Sequence, residues 1–219
     1  NQLSNQLQQQ GIAVQLNTPL LFESFTPWLD QLQQVVISPG IAWDHPTLRQ
    51  LREAGVAVDG EMALAWDALQ HIPWVGITGT NGKTTVTHLL SHVLCTSGIQ
   101  APMGGNMGVS AAEMALSLQQ PSTTAPDWLV MELSSYQIEA ARRIRPRIGI
   151  WTTLTPDHLE RHGSIDAYRA IKRGLIEQAG TAILNADDPD LRQQRPSWAG
   201  GVWVSAEGPN PGGHPAHLW

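Results

Sequence analysis

Cysteine is nearly absent from this 219-residue chain: Cys95 stands alone, so no disulfide can close within it and a reducing compartment is expected. Charge is sparse too. Thirteen Lys and Arg against nineteen Asp and Glu leave a formal net charge of −6, without the basic stripe that marks a nucleic-acid partner. The arginines gather only in ARRIRPR (141–147), which reads as a solvated helix end. No apolar run approaches the ~20 residues a membrane helix needs, and no charged-then-apolar leader opens the chain. A cytoplasmic protein with neither nucleic acid nor membrane as partner is therefore expected. Phe and Tyr number two each, whereas there are nine Trp, several beside Gly- and Pro-rich stretches, where they are expected to leave apolar surface uncovered.

What is present divides near residue 72. The first part holds three short β-branched runs, GIAVQL (11–16), QQVVISPGI (33–41) and GVAVDG (55–60), with a helical pattern in HPTLRQLREAG (45–55). Strands alternating with a helix predict a small Rossmann-like α/β domain over 1–72. No glycine-rich turn precedes residue 11, and NQLSNQLQQQ enters without an initiator Met, so this domain is expected to lack its start. The second part, 73–219, reads as a P-loop-type parallel-sheet domain. Four apolar strands, WVGI (74–77), WLVM (128–131), IGIWTTL (148–154) and TAIL (181–184), are each followed by polar residues: Lys83 on its loop, Glu132, Asp157 with His158, and Asn185. Ligands in open parallel sheets bind beyond the carboxyl ends of the strands, so phosphate and metal chemistry is expected to converge on that edge. The closing EGPNPGGHPAHLW (207–219) predicts no packed element, its His214 and His217 reading as disordered rather than ligating, and this domain is expected to lack its end.

The loop GITGTNGKTT (76–85) carries the sharpest signal. A strict Walker A spacing would place glycine at 77, where the chain has Ile77; the form here is tighter, T-G-x-N-G-K-[ST]. It follows an apolar strand and opens a helix whose stripe Val86, Leu89, Leu90, Val93 and Leu94 ends at Gly98, a C-cap position. Backbone N–H groups over Gly79, Thr80, Asn81, Gly82, Lys83, Thr84 and Thr85 at a helix N-terminus suit phosphates. Glu132 opens ELSSYQIE, where Ser134 and Gln137 have capping-box spacing; it reads as a Mg²⁺ ligand facing the loop or as a carboxylate serving the helix dipole. In TPDHLERH (155–162), His158 reads as a metal or phosphate contact or a satisfied loop residue, and His162 as surface. Lys172 falls inside the apolar stripe Ile165, Tyr168, Ile171, Leu175, Ile176 and Ala179, where it must snorkel, pair with an acid or lose its charge.

These stretches together resemble the Mur ligase family of ATP-dependent amide-forming enzymes. VVISPGI (35–41), TGTNGKTT (78–85), GGNMG (104–108), MELSSYQIE (131–139), TPDHLERH (155–162), AYRAIK (167–172) and LNADDP (184–189) stand in the family's order, and SPGI with ELSSYQIE is similar to its D-glutamate-adding branch. The resemblance implies that ATP phosphorylates the carboxylate of UDP-N-acetylmuramoyl-L-alanine and that D-glutamate then attacks the acyl phosphate, a cytoplasmic step of peptidoglycan synthesis. It implies that Gly79 to Thr85 bind ATP, with Lys83 on the transferred charge. Thr84, Glu132, His158 and a carbamylated Lys172 are implied to hold two Mg²⁺ ions, Asn106 and Gln137 to contact the muramoyl substrate and Gly40 the uridine diphosphate. Lys83, Lys172 and His158 are thus the implied catalytic set. A monomeric three-domain enzyme is expected, with the C-terminal domain outside this chain and the isolated chain inactive. Two other readings stand beside it: a nucleotide-binding module without turnover, and an amide ligase of the folylpolyglutamate synthase kind.

Overall fold

The computed structural model describes residues 2–198 and 200–218. Two compact units divide the chain, residues 1–35 with 44–58 and residues 36–43 with 59–219. In the first, α1 (Gln2–Gln9) and α2 (Pro46–Glu53) are the helices, and Leu48, Leu51 and Val56 are buried. His45 Nδ1 caps α2 by accepting from Thr47 N at 3.2 Å, and Thr47 Oγ1 donates to Leu20 O at 2.9 Å. GIAVQL, expected as a strand, is irregular. Its Ile12 and Leu16 are about half exposed, and without a buried face or a partner ladder a β-branched run has no reason to stay extended. The other two expected strands form, as β1 (Gln34–Ile37) and β2 (Ala57–Gly60) of a two-stranded sheet.

The larger unit is built on a six-stranded sheet. Its strands are β3 (Trp74–Thr78), β4 (Met103–Gly105), β5 (Leu129–Glu132), β6 (Ile148–Trp151), β7 (Thr181–Asn185) and β8 (Val202–Val204). They run parallel in the order β4-β5-β3-β6-β7-β8. The helices are α3 (Glu61–Leu69), α4 (Lys83–Thr96), α5 (Ala111–Leu118), α6 (Ser135–Glu139), α7 (Leu159–His162), α8 (Ile165–Glu177) and α9 (Pro189–Gln193). The expected boundary between residues 72 and 73 lies inside this unit, because α3 sends Met62, Ala63, Ala65 and Leu69 into the same core as Trp74, Leu129 and Met131. Side chains alternate across the sheet as the pleat requires. Trp74, Leu129 and Met131 face α3, α5 and α8, whereas Val75, Ile77 and Val130 face α4.

Two strands, β4 and β8, were not foreseen; each is three residues long, too short for a period-2 pattern to show. The face of α4 also differs from the expected stripe. Val86, Leu90 and Leu94 pack on the sheet with Thr87 and Ser91 buried beside them, while Leu89 and Val93 are more than half exposed. Ser91 can be buried because its hydroxyl donates to Ala101 O at 2.7 Å, so a polar residue holds an inward position that hydrophobic periodicity assigns to the outside. Gly98, at φ +84, ends the helix as expected, with Ile99 N bonding back to Leu94 O.

Three further expectations are corrected. The C-terminal segment is packed: His217 N donates to Trp203 O at 2.8 Å, His217 Nδ1 accepts from Trp203 N at 3.1 Å, and Ala216 is buried. The tryptophans mostly belong to the core, Trp74, Trp151 and Trp203 being fully buried, whereas Trp28 is half exposed and Trp219 lies outside the described residues. Within ARRIRPR, Arg142, Arg145 and Arg147 are exposed as expected, but Arg143 is pinned between Asp59 and Asp67, with Ala141 and Ile144 buried. Among the described residues no helix is long and apolar enough to cross a membrane.

Candidate functional site

β3 ends at the centre of the sheet, where the chain runs to β4 and β5 on one side and to β6 on the other, so a crevice opens beyond its last residue. The loop 79–82 fills its mouth. Gly79, at φ +154, lies so close to the next strand that a Cβ there would meet Thr152 Oγ1 at 1.9 Å. Gly82, at φ +81, is the N-cap of α4 and supplies no capping side chain. The amides of Lys83, Thr84 and Thr85 precede the first intrahelical bond, Val86 N to Gly82 O. Unsatisfied donors and the positive end of the helix dipole are therefore left for an anion.

The loop rests on Thr152 to Thr155, a platform that sequence reasoning missed. Thr80 N donates to Thr153 O and Asn81 N to Thr153 Oγ1, both at 2.9 Å. Asn81 O accepts from Thr152 Oγ1 at 2.6 Å and Thr153 Oγ1 at 3.1 Å, and Thr155 N donates to Thr80 Oγ1 at 3.1 Å. Of the seven loop residues expected to face phosphate, Thr80 and Asn81 thus have their amides committed to the platform. The platform is held in turn. Asn185 Nδ2 donates to Thr152 O at 2.8 Å and its Oδ1 accepts from Asp187 N, while Asp188 Oδ2 accepts from Leu154 N at 2.9 Å. Asn185, expected to carry ligand chemistry, spends both ends of its amide on this scaffold.

Two lysines reach one carbonyl from opposite faces of the sheet. Lys83, at the start of α4, donates to Gly79 O and Thr80 O, each at 2.9 Å. Lys172, from α8, donates to the same Gly79 O at 2.9 Å and to Thr78 Oγ1 at 3.3 Å. Lys172 does not snorkel: it is 1% exposed, and among the described residues no carboxylate forms an ion pair with it. Burial, with the Lys83 ammonium nearby, pushes its amine down to about 7, against a smaller opposing pull from Asp157. Its Nζ lies 4.6 Å from the centre of the Tyr168 ring, and Tyr168 OH is 3.3 Å from Thr80 Oγ1.

A cleft of about 190 Å³ gathers Lys83, Lys172, Asp157, His158, Asn106 and Pro39. His158 sits at φ +52, unusual for a residue with a side chain, with its ring 45% exposed at the cleft edge. Pro39 precedes Gly40 in the turn Ser38–Ile41, closed by Ile41 N to Ser38 O at 3.0 Å and tied down by Arg161 Nη2 to Ile41 O at 2.9 Å. Glu132 and Gln137, also expected here, stand slightly apart. The Glu132 carboxylate, 1% exposed, takes Asn106 Nδ2 on Oε1 at 2.9 Å, while its Oε2 is buried without a protein partner. Gln137 Oε1 accepts from Ser134 N and Oγ, completing the capping box and leaving its NH₂ to offer. Ser134→Ala is expected to lower stability by about 1 kcal/mol in urea denaturation, as loss of an N-cap does.

His162 is not a free surface residue. Its Nε2 lies 3.0 Å from Ser135 Oγ, and its ring packs between Tyr136 and Tyr168 at 5.3 Å from each. Burial foremost, and Arg161 nearby, hold its imidazole below its ordinary value. Its distance in sequence from Ser135 left no local signal for this contact. Among the described residues no three His, Cys, Asp or Glu side chains form a ready metal cage. A Mg²⁺ ion shared with phosphates needs only one or two protein oxygens, and the unpartnered Glu132 Oε2 is an atom of that kind.

Residues 77–209 match the profile of the Mur ligase middle domain. The chain is 80% identical over 213 residues to the UDP-N-acetylmuramoylalanine–D-glutamate ligase of Parasynechococcus marenigrum, covering 97% of this chain and 46% of that protein. It is 65% identical over 217 residues to the enzyme of the same name from Prochlorococcus marinus, covering 99% and 47%. The chain thus spans about half the length of the relatives it matches. Among solved structures it resembles UDP-N-acetylmuramate:L-alanyl-gamma-D-glutamyl-meso-diaminopimelate ligase from Neisseria meningitides, with TM-score 0.58 and 20% identity over 92% of this chain and 66% of that one. MurF ligase from Thermotoga maritima, solved in complex with ADP, gives TM-score 0.53 and 20% identity over 82% and 49%. At such identities these two likenesses speak for the fold.

Proposed function

Because the chain belongs to the Mur ligase family, carrying its middle domain, we propose that it is the ATP-binding part of a ligase that joins D-glutamate to UDP-N-acetylmuramoyl-L-alanine. Residues 1–72 would serve the UDP substrate and residues 73–219 the nucleotide, with α3 belonging to the first stretch by role while its side chains pack in the core of the larger unit. The observation that carries the reading is the meeting of Lys83 and Lys172 on Gly79 O, at the mouth of a helix N-terminus whose cap is left open. The 80% identity to a relative of that name supports the choice of substrates.

In this reading the amides of Gly82 to Thr85 bind ATP phosphates. Lys83, which donates to the loop carbonyls of Gly79 and Thr80, would reach the β/γ oxygens and stabilise the charge that develops as the phosphoryl group passes to the substrate carboxylate. Thr84 and Glu132 would hold one Mg²⁺ ion, and His158 with a carbamylated Lys172 a second, which together supply charge neutralisation among the phosphates and the carboxylate. Carbamylation needs a neutral amine, and burial of Lys172 favours that form. Asn106 offers its Oδ1, and Gln137 its NH₂, to the muramoyl substrate; the turn carrying Gly40 approaches the diphosphate. The acyl phosphate then yields to the amine of D-glutamate with release of phosphate.

The full-length protein with ATP, Mg²⁺ and UDP-N-acetylmuramoyl-L-alanine is expected to release phosphate only when D-glutamate is added. Turnover with a folate and glutamate instead would move it to the folylpolyglutamate synthase kind. ATP binding with no turnover on either substrate would leave a nucleotide-binding module.

A further inference from the structure

Behind the phosphate cradle lies a smaller cavity of about 140 Å³, lined by Thr87 and His88 of α4, Met103 of β4, Met107 and Val109 of the next loop, and Glu132 of β5. Two oxygens of its lining residues are unbonded. Thr87 Oγ1 and Glu132 Oε2 are buried and neither meets a protein hydrogen-bond partner, in residues that are 3% and 1% exposed. Buried polar atoms are nearly always partnered. Apart from the His88 imidazole, the rest of the wall is thioether, methyl and glycine; neither oxygen finds a partner in it, and the cavity has room for a water molecule that these polar groups can hold.

We propose that this cavity holds an ordered water bridging Thr87 and Glu132, and that Thr87 is a positioning residue for the carboxylate. The water donates one hydrogen to Glu132 Oε2 and shares a hydrogen bond with the Thr87 hydroxyl. Asn106 Nδ2 already holds Oε1, so both oxygens are fixed and the plane of the carboxylate is set before a cation arrives. Partners one bond removed from a metal commonly change its affinity 10- to 100-fold. The inference rests on the reading above in which Glu132 holds a divalent cation.

Mn²⁺ binding to the full-length protein with a non-hydrolysable ATP analogue, followed by electron paramagnetic resonance, tests it in Thr87→Val, Thr87→Ser and Glu132→Gln. Valine keeps the shape of threonine and puts a methyl in place of the hydroxyl. Thr87→Val is expected to weaken Mn²⁺ binding about tenfold without raising the melting temperature of the metal-free protein, and Thr87→Ser to restore binding to within about twofold. A Thr87→Val protein that binds Mn²⁺ like the parent and melts higher has merely replaced an idle buried hydroxyl by a methyl, and overturns the proposal. If Glu132→Gln binds weakly while Thr87→Val binds normally, only the role of Thr87 falls. Unchanged Mn²⁺ binding in Glu132→Gln removes the ligand reading and this proposal together.

Discussion

Gly79→Ala is expected to abolish ATP binding, lowering affinity for a non-hydrolysable analogue at least a hundredfold, whereas Gly98→Ala leaves it within about twofold. Both glycines have positive φ, +154 and +84, so both variants carry backbone strain of about 1 kcal/mol or more. Only one of them also meets an obstacle. A Cβ at 98 enters open space, while a Cβ at 79 falls 1.9 Å from Thr152 Oγ1 and 3.0 Å from Thr153 N. Thr152 cannot yield cheaply, because its hydroxyl donates its one proton to Asn81 O at 2.6 Å and lies 3.2 Å from Thr78 O. The loop must lift off its platform, carrying with it the amides proposed to bind phosphate and the carbonyl on which Lys83 and Lys172 meet. Calorimetric titration of the full-length variants decides the matter, with thermal melting as control; Gly98→Ala should cost roughly 2 °C or less. An alanine at 79 that binds within tenfold of the parent would show that the threonine platform does not fix the cradle.

That platform marks the limit of what the sequence disclosed. The cradle itself was legible because its parts are adjacent: an apolar strand, glycines at fixed offsets, Lys83 and a helix. Its support was not, since Thr152 to Thr155, Asn185 and Asp188 are brought together only by the pairing of β3 with β6 and β6 with β7. Thr and Asn near strand ends look alike whether they bind ligand or brace a loop. Asn185 was accordingly expected at the chemistry and is found beneath it.

Burial followed the same division. Lys172 announced itself because a cation inside an apolar stripe contradicts the pattern around it. Leu89 and Val93 misled for the opposite reason: they complete a stripe, yet the helix turns them outward and buries Thr87 and Ser91, whose hydroxyls no hydropathy count rewards. The strand expected over 11–16 failed for want of a partner, while the C-terminal segment, rich in Gly and Pro, packs because Trp203 gives its backbone hydrogen bonds to make. In both cases the deciding residues lie elsewhere in the chain.

In the ligase proposed for this chain, Lys172→Met is expected to give a protein that is more stable and at least a hundredfold less active. In the folded chain without CO₂, the amine titrates at about 7 against an ordinary 10.5, with burial the main cause and Lys83 the second. Above pH 10.5 neither folded nor unfolded chain is protonated at this site, and its ionisation has no effect on stability. As pH falls from 10.5 to 7, the unfolded chain takes up a proton that the native chain refuses, so stability is lost through that window. Below pH 7 both forms are protonated and the penalty levels off at roughly 4–5 kcal/mol. Methionine removes the penalty, although Gly79 O and Thr78 Oγ1 lose a donor worth about 1 kcal/mol each. Urea titrations in CO₂-free buffer should therefore show the variant ahead by a few kcal/mol at pH 7, with the lead shrinking as pH rises and gone by about pH 9. A midpoint that drops at pH 7 would mean that the two hydrogen bonds outweigh the desolvated amine and that Lys172 is there for structure. Gain of stability joined to loss of turnover is what a residue kept for chemistry predicts, since only function accounts for an amine held where folding alone disfavours it.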